Sequence, residues 1–539
     1  MSSPVSVTDN IFSTNTLASK WFLLFHFFIM WFSFLVVFVY IYFIWNFFFT
    51  NFIIAIVLLP LEAILGYLTL FFSSLFISKF LLIMVNLIHK PKEGVFKRKK
   101  EDKDYLFWSL RAVIKKWPIW LTRFVPLHFA DYLLYRFFGV KSSFSNSLTD
   151  FTIDSEFIEI GKGTVIGKGS FIRSSMILDD FLVIKKVIIE ENVTIGSQCY
   201  ISPGTHVGKK AILLSFSITN IDQKLAPNAI YSGNPAVKRD VKIKDRFSIL
   251  SEKNLFFEQV KNKEKDLMEQ ENIEHKFVKK VPTYVIIFLL INLVSYGLPV
   301  ILSYFFYKIV FQPYFMTAPS LIQILIEPVN LVVFLISPAI YILLYLLNLL
   351  LVALTVKVIY IVINRHDFVK KGTFHWSRKT KAYKQYFVRS FLIRYLKWKV
   401  QRCPFPWLTK PFFNYVGNCH FGEGTTLEDM HIAKEFLNVG VNSYLGKIVL
   451  TNHLWDKHLT VNDLEIGENS VISDGSCISP GTKVGNNATL LPFTMVPKNA
   501  ILDSDSYYSG LPPKKVDEDN FRSILSNLLN INNKNEEET

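Results

Sequence analysis

The chain has 539 residues, 50% of them apolar and 50 of them Phe, which is long enough for two or three domains and too apolar for purely soluble ones. Its net charge of +15 gathers beside the apolar runs, at Lys97 to Lys100 and Lys370 to Lys384, with no nucleic-acid motif; this excludes nucleic acid as a partner and fits membrane lipid with anionic headgroups. Four cysteines (Cys199, Cys403, Cys419 and Cys477) without a CxxC pair exclude a disulfide framework and a zinc signature, so no metal site is expected.

Residues 1–20 are polar and read as a disordered N-terminus. Trp21 to Phe49 and Phe52 to Ile88 are near-continuous apolar runs, each longer than the roughly 20 residues that cross a bilayer. With no small-residue cleavage site after the first, they read as retained transmembrane helices over 21–88. A soluble domain over 89–245 and a charged helical linker over 246–282 follow. A second apolar pair lies within 283–364: Tyr284 to Phe311 spans once, and Leu321 to Ile363 is too long for one crossing and is interrupted at Glu327-Pro328. The interruption admits two readings, a short interfacial piece leading into one helix or two separate crossings. Lys279 and Lys280 before the pair and Arg365, Lys370, Lys371, Arg378 and Lys379 after it favour an even number, four in all. A second soluble domain over 365–520 and an Asn- and Glu-rich tail over 521–539 complete the chain.

The halves repeat. Pro60, Lys79, Asn86, Gly94 and Arg111 recur 278 positions later as Pro338, Lys357, Asn364, Gly372 and Arg389. From about Phe144 the offset becomes 277, pairing Met176 with His453, Asp179 with Asp456 and Ser202-Pro203-Gly204-Thr205 with Ser479-Pro480-Gly481-Thr482. The unit is two membrane helices followed by a soluble domain, in internal tandem duplication.

Within each soluble domain an aliphatic residue recurs every six positions, at Ile160, Ile166 and Ile172, then Ile189, Ile195, Ile201, Val207 and Leu213. The second copy has Val439 and Leu445, then Ile466, Ile472, Ile478, Val484 and Leu490. Six residues make one flat side of a triangular coil, the aliphatic pointing inward and a Gly or small residue fitting the corner. Neither a helix nor a hairpin has this period.

The pattern resembles the hexapeptide-repeat acyltransferases of the trimeric left-handed β-helix type, and Ser232 to Ala236 resembles their C-terminal Gly-Asn-Pro-Ala signature; Ser509-Gly510-Leu511-Pro512 is a weaker match. The fold class that follows is multi-pass membrane α-helical segments plus two all-β left-handed parallel β-helix domains. Paired helices and a hexapeptide domain repeated along one chain resemble, over roughly 21–520, the C-terminal membrane region of ε-poly-lysine synthetase-type nonribosomal peptide synthetases. That family has three such units, and adenylation and carrier domains for which no motif is found here.

The six-residue register breaks at Ser174 to Val187 and Thr451 to Leu464, where a loop leaves each coil. In the second loop His453 precedes Asp456 by three residues, suiting a general base and an orienting carboxylate; the aligned Met176 cannot accept a proton, so the first copy reads as non-catalytic. A plain polar loop residue explains His453 equally well on chemistry alone. The resemblance implies the catalytic role, because His453-Leu454-Trp455-Asp456 keeps the His, aromatic and acid of that family's loop.

It further implies a coenzyme A or phosphopantetheine thioester as co-substrate, lying beside Trp455, Ser479, Gly481, Thr482, Ser509 and Gly510 with Lys514 near a phosphate. Solvated charge explains Lys514, and tight-corner geometry the Gly481 region, without any ligand. The expected activity is acyl or aminoacyl transfer to an amine or hydroxyl, with the donor or a carrier protein supplied in trans and the two β-helix domains packed together or self-associated. A non-catalytic membrane scaffold is the alternative. A transporter is prompted by Glu62 and Glu327 within apolar runs, but these acids do not align between the halves. Basic flanks place both β-helix domains in the cytoplasm.

Overall fold

The structure, a computed structural model, describes residues 11–48, 52–124, 134–143, 145–148, 151–239, 281–364, 371–374, 381–417, 419–433, 435–456 and 458–517. Almost all of the linker expected over 246–282 and the tail expected over 521–539 lie outside these residues.

Four helices are long and apolar enough to cross a membrane, within Lys20–Trp45, Ile56–Ile88, Pro282–Met316 and Pro328–Asn364. Large apolar side chains such as Leu59, Leu293 and Ile336 face outward from them. Some polar groups among the helices are paired. The Tyr40 hydroxyl donates to the Glu62 carboxylate at 2.5 Å, and Asn348 Nδ2 donates to the Ser295 carbonyl at 2.8 Å. Glu327 leaves the helical region at ψ 117 between a short helix, Leu321–Ile326, and the long one from Pro328, so the interruption separates a short piece from one continuous helix. Between the two apolar runs the chain passes through a π-helical stretch, Tyr307–Met316.

After each helix pair the chain winds through three parallel sheets in turn. In the first set Ile158–Ile160, Val187–Ile189, His206–Val207 and Lys224–Leu225 stack in one sheet, and Val165–Ile166, Thr194–Ile195, Ile212–Leu213 and Ile230–Ser232 in another. Thr152–Asp154, Phe171–Ile172 and Tyr200–Ile201 form the third. The second set repeats this arrangement from Cys419–Phe421 to Tyr507–Ser509, except that in its third sheet a single bridge at His431 stands where Thr152–Asp154 is, and Met495–Val496 is a strand where the first set has a single bridge at Ile218. The six-residue aliphatics lie inside: Ile172, Ile201, Leu445, Ile472, Ile478 and Leu490 are each 0% exposed. Each such side chain contributes about 1.5–3 kcal/mol of burial.

The corners differ from expectation. Glycines after the aliphatics are required by close approach between coils: a Cβ on Gly485 would lie 2.4 Å from the Ser504 amide nitrogen. Positive φ at the corners falls instead mostly on other residues, chiefly Asn, with Asn442, Asn469, Asn487 and Asn499 at 55°, 52°, 53° and 58°. Asn tolerates that region because its short amide bonds locally.

Each break in the register is a β-ribbon. Ser175–Leu178 pairs with Phe181–Ile184, which pairs with Gly94–Lys97; His453–Asp456 pairs with His458–Val461, which pairs with Gly372–Phe374. These registers correct the alignment of the halves. Arg173 N and Thr451 N bond the equivalent carbonyls of Ile201 and Ile478, and the ribbons close by Lys185 N to Ser174 O and Asn462 N to Asn452 O. His453 therefore stands where Ser175 stands, not Met176, because the second ribbon is one residue shorter at its tip. Serine is no better a base, so the first ribbon still lacks an imidazole at this place.

The two sets pack on each other through the first ribbon. Met176, Leu178 and Val183 cluster with Phe171, Tyr200 and Phe493, and Ile177, Leu182 and Ile184 with Tyr444 and Val471. The stretch expected to be disordered is built into this joint from Ile11 onward. Ile11–Phe12 adds as a parallel strand beside Ile153–Asp154, while Thr14 Oγ1 and Asn15 N donate to the Glu428 carboxylate at 2.5 and 2.8 Å. Buried Arg173 completes it, bonding Asp154 of its own set and Asp474 of the other, each at 2.7 Å, with the Phe12 ring 3.3 Å from its guanidinium carbon. Burial alone would lower the Arg173 pKa, but the Asp474 and Asp154 carboxylates hold it well above the ordinary value.

Candidate functional site

His453 begins the second ribbon, one residue after the chain leaves the coil at Asn452. Its Nδ1 lies 3.4 Å from Asn452 Oδ1 and 3.5 Å from Thr451 Oγ1, and Thr451 Oγ1 donates to the His453 carbonyl at 2.6 Å. The Tyr386 ring, from the helix Lys381–Gln401, sits 5.8 Å from the imidazole at 55°. Tyr386 is buried, which pushes its phenol pKa upward. Behind it Arg389 and Glu435, 4% and 1% exposed, pair at 3.1 Å and fix the helix against the coil.

Asp456 lies at the ribbon tip, paired with His458, whereas His453 lies at the foot, paired with Val461. At about 3.3 Å per residue the two backbones are roughly 10 Å apart along the strand. The side chains of Trp455 and Asp456 lie outside the described residues.

Ser479 to Thr482 turns the next coil beside the ribbon's foot. Thr451 N bonds Ile478 O at 3.1 Å and Ser479 N bonds Val496 O at 3.2 Å, so Thr451, Ser479 and Pro497 follow one corner of three successive coils. Buried Thr482 donates to the Ser479 carbonyl at 2.8 Å. Gly481 has φ +80°, and a Cβ there would meet Asn499 Oδ1 at 2.0 Å, so its type follows from packing alone. Ser509, Gly510 and Lys514 lie at the last coil instead: Ser509 pairs with Lys514, and Asn234 of the first set donates to Ser509 Oγ at 3.4 Å. The structure thus gathers His453 and Ser479 to Thr482 at one corner and puts Ser509, Gly510 and exposed Lys514 at the far end of the stack. Burial raises the thiol pKa of nearby Cys477, which disfavours the thiolate.

The first set shows what this corner looks like when filled. Asp154 Oδ2 accepts from Ser174 and Ser175, and Phe12, Arg173, Ser175 and Met176 pack around the same small gap with Trp108. In the second set the strand registers place Thr451 where Arg173 is and Ala433 where Asp154 is, and Tyr386 lies beside His453 as Trp108 lines the gap beside Ser175. Asn452 and Tyr386 were not singled out by the sequence. The signal present was the 278-residue spacing of Tyr386 from Trp108, parallel to that of Arg389 from Arg111.

Residues 186–214 match the model of the hexapeptide repeat of succinyl-transferase. No curated protein sequence matches the chain. Among solved structures, a hexapeptide-repeat-containing acetyltransferase of Vibrio cholerae is 20% identical, covering 21% of this chain and 81% of that one, with a TM-score of 0.17. A galactoside acetyltransferase in complex with coenzyme A is 18% identical over 22% of this chain and 75% of its own, with a TM-score of 0.19. A maltose O-acetyltransferase of Clostridium difficile is 17% identical over 21% and 76%, with a TM-score of 0.17. The chain thus carries a segment that matches a hexapeptide repeat, together with four helices long and apolar enough to cross a membrane.

Proposed function

We propose that this protein is a membrane-bound acyl- or aminoacyl-transferase that takes its acyl group from a coenzyme A or pantetheine thioester. The observation that carries the reading is the place of His453, at the foot of a ribbon leaving a coil stack of hexapeptide-repeat type. There the imidazole takes the proton of an acceptor amine or hydroxyl as its nitrogen or oxygen attacks the thioester carbonyl. The tetrahedral intermediate then expels the thiolate, which recovers the proton from the imidazolium. The donor extends along the corner of Ser479 to Thr482 toward Ser509, Gly510 and Lys514, with Trp455 and Asp456 on the ribbon above it.

Both soluble parts are, in this reading, left-handed parallel β-helices produced by tandem duplication, supported by the correspondence of their three sheets and of the ribbon that leaves each. The first is a structural wall, since its equivalent corner holds Phe12 and Arg173 and no histidine. Cytoplasmic placement of both follows from the basic flanks, and the repeated helix-pair arrangement favours a role in polyamino-acid or nonribosomal peptide synthesis with a carrier supplied in trans. The test is thiol release from acetyl-coenzyme A with lysine as acceptor, using the full chain in detergent. His453→Ala should lower it on the order of 10²-fold while Ser175→Ala leaves it intact. No thioester-dependent turnover, or equal effects from both substitutions, favours the non-catalytic scaffold.

A further inference from the structure

Asn452 is 1% exposed, and its Nδ2 has no hydrogen-bond partner among the described residues. Its counterpart in the first set, Ser174, is fully engaged: its amide and hydroxyl bond Asp154 Oδ2 at 3.0 and 3.2 Å, and the hydroxyl also donates to the Glu156 carbonyl at 2.6 Å. Two exchanges between the sets produce the difference. Ala433 in place of Asp154 removes the accepting carboxylate, and Thr451 in place of Arg173 removes the side chain that fills the corner. Where the first set has a saturated network, the second has a buried amide with a donor left over. A buried donor without a partner is destabilising, so its retention points to a ligand that completes it.

The other end of the same amide faces the imidazole, with Oδ1 3.4 Å from His453 Nδ1. An amide oxygen can only accept, so this contact places the proton on Nδ1 and makes Nε2 the basic nitrogen. Resting on the transferase reading above, we propose that Asn452 serves the site with both ends: Oδ1 fixes the tautomer and orientation of His453, and Nδ2 donates to the thioester carbonyl oxygen as it becomes an oxyanion. Asn452 then takes the orienting role that the sequence suggested for Asp456, and the required acceptor is a carbonyl oxygen carried by the donor.

Among the described residues, the ionisable groups on elements packed against the ribbon's foot include Tyr386 and the Arg389–Glu435 pair on the helix side, the Lys371–Asp463 pair, 2.7 Å apart, at the third strand, and Cys477 on the neighbouring coil. Asn452→Asp keeps the accepting oxygen beside Nδ1, adds a charge and removes the donor. In full-length protein in detergent, the pH midpoint for modification of His453 by diethyl pyrocarbonate, read by mass spectrometry, should move upward in Asn452→Asp. Thiol release from acetyl-coenzyme A at saturation should fall on the order of 10²-fold with KM little changed and Tm kept. An unmoved midpoint overturns the pairing whether or not thiol is released. A moved midpoint with wild-type turnover overturns the donor role. A moved midpoint in a protein whose wild type releases no thiol leaves the pairing standing and overturns the transferase reading, and with it the donor role.

Discussion

The guanidinium of Arg173 in the first set of sheets lies 2.7 Å from the carboxylate of Asp474 in the second, and both side chains are out of water. A buried pair of this kind contributes little net energy but is costly to break from one side, about 3–5 kcal/mol, because the abandoned charge stays buried. Arg173→Ala strands Asp154 and Asp474 together and should lower the Tm of the full chain markedly, whereas Arg98→Ala, at a more exposed bond between the sets to the Asn442 carbonyl, should change it little. Scanning calorimetry of the two variants compares them directly.

Coil stacking predicts a sharp difference between neighbouring substitutions. Gly485→Ala drives a methyl against the Ser504 backbone at 2.4 Å, and Ile478→Asp buries a charge among aliphatics, so each should unfold the second set. Ile501→Asp, at a side chain 75% exposed, should be tolerated. Limited proteolysis reads all three; a protease-resistant Ile478→Asp protein means that the inward register is wrong.

The joint also has a pH signature. Burial lowers the Lys116 pKa to about 8, with Glu428 and Asp429 opposing the shift. Between about 8 and the ordinary lysine value the unfolded chain binds a proton that the folded chain does not, so this group makes stability rise with pH across that window. The Tm of the wild type relative to Lys116→Met should therefore increase from pH 8 to pH 10. A constant difference means that Lys116 titrates normally.

Orientation can be read from two glycosylation sequons, Asn192-Val193-Thr194 and Asn487-Ala488-Thr489. With both sets in the cytoplasm, neither asparagine meets the lumenal transferase when the protein is made in a glycosylating host. A glycosidase-sensitive mobility shift traced to Asn487 would refute that orientation and cut His453 off from cytosolic thioesters.

The inward aliphatics were legible in the sequence because a period of six repeats often enough to stand out, and every one of those side chains has the same neighbours inside the stack. The membrane helices were legible for a similar reason, since length and composition suffice. Four features were not. Ile11–Phe12 is a two-residue strand, too short to have a period, and its partner lies far along the chain. The ribbons read as loops because each arm has only four residues. The match of Met176 with His453 slipped by one because a residue missing from a ribbon tip leaves no mark in composition, and only pairing through Ser174 and Asn452 reveals it. Asn452 was invisible as a site residue because its distinction is an unmet hydrogen bond, a property of packing.

Thr14 and Glu428 are bonded although 414 residues separate them in the chain. A ribosome works from the N-terminus, so when Thr14 emerges its partner does not exist, and it still does not exist while all four apolar helices are delivered to the membrane. The leading segment therefore has to wait on the same side of the bilayer as the second set and dock only after that set has been made. A chain released short of Glu428 would leave Thr14 and Asn15 without the carboxylate that holds them in the joint.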